Sequence, residues 1–213
     1  MGNRKISDAV IRRIVLYMRV LDEMEQTSEK DAISSYELGE RTGVRAAQVR
    51  KDLAWFGEFG KQGVGYDVQF LKSQLHRILH LEKDVNVAVI GVGNLGLALA
   101  RYNLERYKKE KEYYIKIAAL FDNNPKKIGE IIEGVTIYSI DLLSEIVYEK
   151  EIAMGVITVP SLHAQQIADI LVKANVKTIL NFAPTTIVVP EDTRVHRADL
   201  SLELQHLAYY LGS

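Results

Sequence analysis

Apolar residues fall at Ile6, Val10, Ile14, Tyr17, Met18, Leu21 and Met24, with Arg12, Arg13 and Arg19 elsewhere on the cylinder. That spacing predicts an amphipathic helix of about five turns. A polar break at Thr27 to Asp31 ends it. Ser34-Ser35-Tyr36-Glu37 then opens a second helix, with Ser34 as N-cap and Glu37 three residues on in a capping box. Leu38 is its clearest apolar position, and Thr42-Gly43-Val44 makes a tight turn. A third helix is predicted from Ala46 to Trp55, with Val49, Leu53, Trp55 and Phe56 as its inner face. Gly57, Gly60, Gly63 and Gly65, interleaved with aromatic residues, predict a β-hairpin. Val68, Leu71, Leu75, Ile78 and Leu79 mark another amphipathic helix over Asp67 to Leu81, and the charged triplet Glu82-Lys83-Asp84 marks a domain boundary.

Beyond that triplet the pattern changes. Val85 to Ile90 is a continuous run of strand length, the mark of a strand buried on both faces. Further strands are predicted at Ile115 to Phe121, Val135 to Tyr138, Ile152 to Val159 and Lys177 to Phe182. Helices are predicted after Gly96 (Leu97, Leu99, Ala100, Leu104), at Ile140 to Val147 and at Ser161 to Ala174. Strand and helix in alternation predict an α/β fold built on a doubly wound parallel sheet. A last helix carries the stripe Leu200, Leu204, Leu207 and Leu211. The predicted organisation is residues 1–83, 84–199 and a terminal helix at 200–213.

A chain of 213 residues, 47% hydrophobic and 26% charged, has the composition of an ordinary globular protein. No apolar run approaches the roughly 20 residues of a membrane span. Met1 to Lys5 leads into the first helix without a signal-peptide core, so a cytoplasmic location is expected. The absence of cysteine excludes disulfides, thiolate metal sites and thiol switches. If this chain senses redox state, it has to read a diffusible cofactor. A net charge of −1 argues against wholesale nucleic-acid binding, but the local balance differs. Residues 41–51 hold Arg41, Arg45, Arg50 and Lys51 and no acid.

Candidate chemistry lies in both halves. Gly91-Val92-Gly93-Asn94-Leu95-Gly96 follows a strand and opens a helix, the context of a dinucleotide-binding turn. Its glycines would permit the tight turn, the approach of a pyrophosphate and close helix–strand packing, with phosphates at the helix N-terminus. Asp122, 26 residues after Gly96, ends the next strand, where an acid binds ribose hydroxyls and repels a 2′-phosphate. Asp122 therefore makes NADH/NAD+ the expected cofactor pair, although Lys126 and Lys127, close in sequence, would soften the bias against NADP. Val159-Pro160-Ser161 and Asn181-Phe182-Ala183-Pro184 fall at strand carboxyl ends, where ribose and nicotinamide contacts belong.

In the first half, a helix, a Gly-containing turn and a cation-rich helix form a helix-turn-helix pattern. Gln48 is a candidate for a base edge, and Arg45, Arg50 and Lys51 for guanine or phosphate. The glycine hairpin, with Lys61 and Gly63 near its tip, completes a winged helix. His76 and His80 share an i, i+4 spacing but have no third ligand in sequence, so solvated histidines are expected there. His163 follows a strand end with no acid placed to orient it, and no nucleophile motif or HExxH occurs. The terminal amphipathic helix requires a groove, and a second subunit's groove is expected, since helix-turn-helix proteins work as dimers.

Several segments resemble one family, the Rex redox-sensing transcriptional repressors. They are AVIRRIVLYMRVL (9–21), ISSYELGERTGV (33–44), AAQVRKDLAWFGEFGKQGVGYDV (46–68), VIGVGNLG (89–96), FDNNPKKIG (121–129), ILNFAP (179–184) and ADLSLELQHLAYYL (198–211). The resemblance implies a homodimer that exchanges its last helix, holds double-stranded, pseudo-palindromic operator DNA through the winged helix, and releases it when NADH binds. It implies DNA contacts at Gln48, Arg50, Lys51 and Lys61, adenosine contacts at Gly91, Gly93, Gly96 and Asp122, and a nicotinamide near Asn181 to Pro184. It also implies that Arg19, Tyr102 and Asp199 couple cofactor state to domain orientation. Ala54-Trp55 departs from the Ser-Tyr common in the family. Two other readings remain: a small NAD-dependent dehydrogenase with a helical appendage, and a nucleotide- or CoA-binding regulatory module without DNA activity.

Overall fold

The computed structural model describes residues 6–27, 30–61 and 63–212 and divides into two units, Met1–Lys83 and Asp84–Ser213. Of the first unit's elements, α1 (Asp8–Thr27) buries Val10, Ile14, Tyr17, Val20, Leu21 and Met24. It starts later than the apolar pattern suggests, because the Ser7 carbonyl accepts the first helical N–H, from Val10. A two-residue strand, β1 (Ala32–Ile33), precedes α2 (Ser35–Thr42). The Ser34 hydroxyl accepts the N–H of Glu37 at 3.1 Å, and Gly43, at φ 70°, closes α2 in the left-handed region.

Helix α3 (Ala46–Ala54) buries Val49, Asp52 and Leu53. The sequence placed Trp55 on this inner face, and the structure corrects that. The helix ends at Ala54, so Phe56 packs against the core and Trp55 stays 42% exposed. The hairpin consists of β2 (Gly60–Lys61) and β3 (Gly65–Asp67), with Gly60 opposite Tyr66 and Lys61 opposite Gly65. β1 joins its other edge, making a small sheet of order β1-β3-β2. Gly65 is required there: at φ +96°, a Cβ would also lie 2.5 Å from the Ile33 carbonyl oxygen. Asp67 caps α4 (Val68–Ile78), accepting the N–H of Phe70 at 2.7 Å.

The buried stripe of α4 runs through Val68, Leu71, Lys72, Leu75 and His76. His76 is therefore not the solvated residue expected from its spacing. Its Nδ1 lies 3.3 Å from the Leu81 carbonyl oxygen, while His80 falls beyond the helix at φ 55°. Lys72 pairs with Asp22 at 3.0 Å and with Glu25, tying α4 to α1.

In the second unit β4 (Val85–Ile90), β5 (Ile115–Asp122), β6 (Ile131–Ile132), β7 (Val135–Ser139), β8 (Met154–Ile157), β9 (Thr178–Asn181) and β10 (Arg194–Arg197) form one sheet. Its order is β10-β9-β8-β4-β5-β7-β6, parallel except for the β6–β7 hairpin. Apart from β6, this is the doubly wound dinucleotide-binding order, reversing direction between β4 and β8. β4 shows why its run is unbroken. Val87 and Val89 face a layer with Ala100 and Leu104 of α5 (Asn94–Lys109). Ala88 and Ile90 face the other layer, formed by α6 (Leu143–Glu149) and α7 (Ser161–Lys173).

The last helix, α8 (Leu200–Ala208), has no buried residue, and Leu200, Leu204, Leu207 and Leu211 are all exposed. No helix among the described residues is long and apolar enough to cross a membrane. The fold is a winged helix followed by a Rossmann-like sheet.

Candidate functional site

At the carboxyl ends of β4 and β8 the chain diverges, and the glycine loop forms one lip of the crevice. Gly91 turns at φ +98°, and a Cβ on it would lie 2.9 Å from the Thr158 carbonyl oxygen. A Cβ on Gly96 would lie 2.0 Å from the Gly91 carbonyl oxygen and 2.7 Å from the Thr158 hydroxyl. Gly93 differs, since a Cβ there would meet nothing within 4 Å. The outer glycines are therefore close-packing positions, and the middle one faces open space. Gly93 is also the N-cap of α5, and no side chain caps it. Val92 is buried, while Asn94 and Leu95 are exposed at the start of the helix. An uncapped N-terminus with room beside it suits a pyrophosphate, whose charge the helix dipole favours.

Asp122 stands beside this loop with its two oxygens engaged differently. Oδ2 accepts the N–H of Val92 at 2.9 Å, and Oδ1 accepts the N–H of Asn124 at 2.9 Å. Each carboxylate oxygen retains acceptor capacity for a hydroxyl such as a ribose carries. Lys127 donates to the Val92 carbonyl at 2.7 Å and lies 3.4 Å from Asp122 Oδ2. This ammonium is thus fastened to the loop, while Lys126 is exposed.

Val159 on the opposite lip is buried, and the exposed Pro160 is the N-cap of α7. Asn181 is almost wholly buried and spends its amide on its own turn. Oδ1 accepts the Ala183 N–H at 2.9 Å, and Nδ2 donates to the Thr185 carbonyl at 2.9 Å. It shapes the loop, with Phe182 half-buried, Ala183 buried and Pro184 exposed. Thr158 escaped the sequence reading. Its hydroxyl donates to the carbonyls of Ile90 at 3.0 Å and Gly91 at 2.8 Å, bridging β8 to the glycine loop. A threonine within an apolar strand end was the available signal. A cavity of about 920 Å³, bounded by Asn86, Lys116, Tyr138, Lys150 and Asn175, opens at the amino ends of the strands, away from this crevice.

In the first unit Arg45, at the N-cap of α3, is exposed, as are Arg50, Lys51, Lys61 and Gly63, the last at φ +79°. A cavity of about 540 Å³ lies between α3 and the hairpin, bounded by Ser35, Arg50, Leu53, Gly57, Lys61 and Tyr66. Arg50 reaches across to donate to the Ser35 hydroxyl at 2.8 Å. Gln48 is turned otherwise: Nε2 donates to Asp52 Oδ1 at 2.7 Å.

Asp52 is fully buried. Arg13 donates to it from Nε at 2.5 Å and Nη2 at 2.8 Å, and the Tyr17 hydroxyl donates at 2.8 Å. Burial alone would push the Asp52 carboxyl up, but the bonds from Arg13, Gln48 and Tyr17 outweigh it and hold the carboxyl below its ordinary value. Burial, then the bond to Asp52, pushes the Tyr17 phenol well above its ordinary value. Sequence reasoning missed this cluster. The signal was an acid beside Val49 and Leu53 on an inward face, with Arg13 and Tyr17 at i, i+4 on α1.

The three coupling candidates keep separate partners. Arg19 pairs with Glu23 at 3.5 Å. Tyr102 is exposed, 5.8 Å from the Arg106 guanidinium, which also lies 4.3 Å over the Tyr113 ring. Asp199 pairs with Arg197 at 2.8 Å and caps α8 through the N–H groups of Ser201 and Leu202.

Residues 5–54 match the family described as "Putative DNA-binding protein N-terminus", and residues 82–185 match the family described as "CoA binding domain". A redox-sensing transcriptional repressor Rex from Natranaerobius thermophilus is 46% identical, over 95% of this chain and 90% of that protein. Another, from Brevibacillus brevis, is 46% identical over 98% of each. This chain belongs to the Rex family. Among solved structures, RSP in complex with β-NAD+ and operator DNA superposes with a TM-score of 0.89 at 38% identity, over 98% of this chain and 94% of RSP. RSP in complex with β-NADH superposes at 0.83 with 36% identity, over 97% and 94%. RSP is itself described as a Rex-family repressor. These Rex relatives are named as redox-sensing transcriptional repressors.

Proposed function

We propose that this Rex chain is a cytoplasmic, homodimeric repressor that holds pseudo-palindromic operator DNA and lets go when NADH binds, reporting the NADH/NAD+ ratio. The supporting observation is the coexistence, on one chain, of a winged helix with exposed cations and a glycine crevice flanked by an acid. Gly91, Val92, Gly93, Asn94, Leu95 and Gly96 would hold the pyrophosphate, and Asp122 the adenosine ribose, with Lys127 bracing the loop. Val159, Pro160 and Asn181 to Pro184 would line the nicotinamide end. Arg45, Gln48, Arg50, Lys51, Lys61 and Gly63 would meet DNA, and Arg19, Tyr102 and Asp199 would couple the two events.

When bound, the nicotinamide ring supplies the redox difference, cationic and planar in NAD+, neutral in NADH. The glycine loop and Asp122 touch the half of the dinucleotide common to both forms, so discrimination belongs to the opposite lip. Linkage requires that DNA weaken NADH by the factor by which NADH weakens DNA, and a hundredfold effect needs about 2.7 kcal/mol of differential contact. The exposed leucine stripe of α8 supports exchange of this helix between protomers.

The decisive experiment is a gel shift on palindromic genomic fragments, titrated with NADH against a fixed NAD+ pool. Loss of the shifted band with NADH, and its retention with NAD+, is the expected result. A band indifferent to NADH defeats the reading. Turnover of NADH with a carbonyl substrate would favour a dehydrogenase instead.

A further inference from the structure

Among the cations of α3 sits one fully buried acid, Asp52, and its neighbour Gln48 is half-buried at the amino-terminal end of that helix. A carboxylate ionised at neutral pH offers only acceptors, so the Gln48 side chain has to turn its nitrogen, not its oxygen, toward Asp52. The chemistry of the partner therefore fixes the orientation of this amide. Asp52 is immobile in turn, clamped by both nitrogens of the Arg13 fork and by the Tyr17 hydroxyl. One N–H of Gln48 is thus spent inward. The amide makes no other hydrogen bond among the described residues, which leaves one N–H and the carbonyl oxygen for an outside partner.

We infer that Asp52 is a positioning residue for DNA reading: it holds the Gln48 amide so that the free donor and acceptor form the pair complementary to N7 and N6 of an adenine in the major groove. The inference rests on the DNA-binding reading above and adds a base preference and its cause. Recognition helices read base edges from their amino-terminal residues, where Gln48 lies. An amide free to flip offers its donor and acceptor in either order and pays rotamer entropy when it binds. An amide anchored by a rigid carboxylate offers a single order. Arg45 at the N-cap, Arg50 and Lys51 are exposed cations suited to guanine or phosphate, and the exposed Ala47 could touch only a thymine methyl, so an adenine preference that disappears in Gln48→Ala would be attributable to Gln48.

The test is a binding panel with the full-length dimer. Operator duplexes carrying single A·T to G·C replacements at each position of one half-site are titrated with the parent protein and with Gln48→Ala, Asp52→Asn and the double variant. The expected result is one adenine position at which the parent discriminates by roughly tenfold to a hundredfold. Gln48→Ala should flatten that position alone, Asp52→Asn should flatten the same position, and the double variant should be no flatter than either.

If Asp52→Asn weakens every duplex equally and keeps the adenine preference, Asp52 is structural and the inference is overturned. Gln48→Ala leaving all preferences intact overturns it as well. A parent protein that does not distinguish operator from scrambled duplex defeats the DNA-binding reading itself, a different outcome from either of these. Should Asp52→Asn fail to fold, judged by Trp55 fluorescence, Tyr17→Phe replaces it. That variant keeps the Gln48 amide but removes one of the bonds that hold Asp52, and should lower discrimination at the same position; an adenine preference left at the parent's level overturns the inference.

Discussion

The carboxylate of Asp122 accepts the backbone N–H of Val92, the residue between the first two glycines of the loop, at 2.9 Å. One side chain thus shapes the loop and, in the proposed site, would also receive the adenosine ribose. Asp122→Ala should weaken NADH and NAD+ together, by roughly tenfold to a hundredfold, the range for lost hydrogen bonds to a charged group. Calorimetric titration with each cofactor checks this, and unchanged affinity for both would remove Asp122 from the site.

The glycines separate by what surrounds them. Gly96→Ala places a methyl group 2.0 Å from a backbone carbonyl oxygen that cannot retreat without dragging β4. It should cost at least about 1–3 kcal/mol, a fall of several degrees in Tm. Gly93→Ala meets nothing and occupies a φ of −73° that any residue adopts, so its Tm should match the parent's. Its cofactor affinity should nevertheless fall about tenfold or more, because the methyl group fills space the pyrophosphate needs. Thermal scans and titrations of both variants read the contrast.

Acid should loosen the winged helix through Asp52. Its folded carboxyl titrates below the ordinary value of about 3.9, so the stabilisation is complete above that value and disappears as pH falls through the lowered one. At the alkaline end, Tyr17 titrates above its ordinary value of about 10, so its contribution holds below that pH and is lost as pH rises past it. Trp55, the single tryptophan, lies in this unit and reports on it selectively. Urea midpoints followed by its fluorescence should hold down to about pH 4, fall as pH drops below it, and fall less in Asp52→Asn. Equal losses in the two proteins would show that the cluster does not drive the change.

Removal of residues 200–213 should leave a folded monomer, since no side chain of α8 is buried within its own unit. Sedimentation should show the halved mass, and affinity for a palindromic duplex should drop far more than affinity for a half-site. A truncated protein that still sediments as a dimer would place the interface elsewhere.

How far the sequence could be read depended on what each residue's type implied about its surroundings. The Ser34 N-cap and the Gly91–Gly96 turn are local chemistry and took the form their residues dictate, whereas the Glu37 carboxylate, expected to complete a capping box, accepts from Lys30 and Arg41. The strands β1, β2 and β6 span two residues each, too few for any period to show, and exist through pairing with partners distant in sequence or across a turn. β10 was lost because its residues, Arg194 to Arg197, are mostly polar on an exposed edge. His76 was misjudged by residue type, since it shares the stripe of Leu71, Lys72 and Leu75 and goes inward with it. Asp52 was hidden similarly, because its burial depends on Arg13 and Tyr17, which lie 39 and 35 residues away.

Thr158 has a mechanical consequence. A single hydroxyl laced to two successive carbonyls of the neighbouring strand end, its one proton shared between them, ties both rims of the cleft together. In the proposed site, a rearrangement that follows a change of dinucleotide would then begin elsewhere, in the Asn181–Pro184 turn or farther along the chain. Thr158→Val, which keeps the shape and cuts the lacing, should therefore let the rims drift apart, and hydrogen exchange at the amides of Gly91 and Val92 should speed up as the first sign.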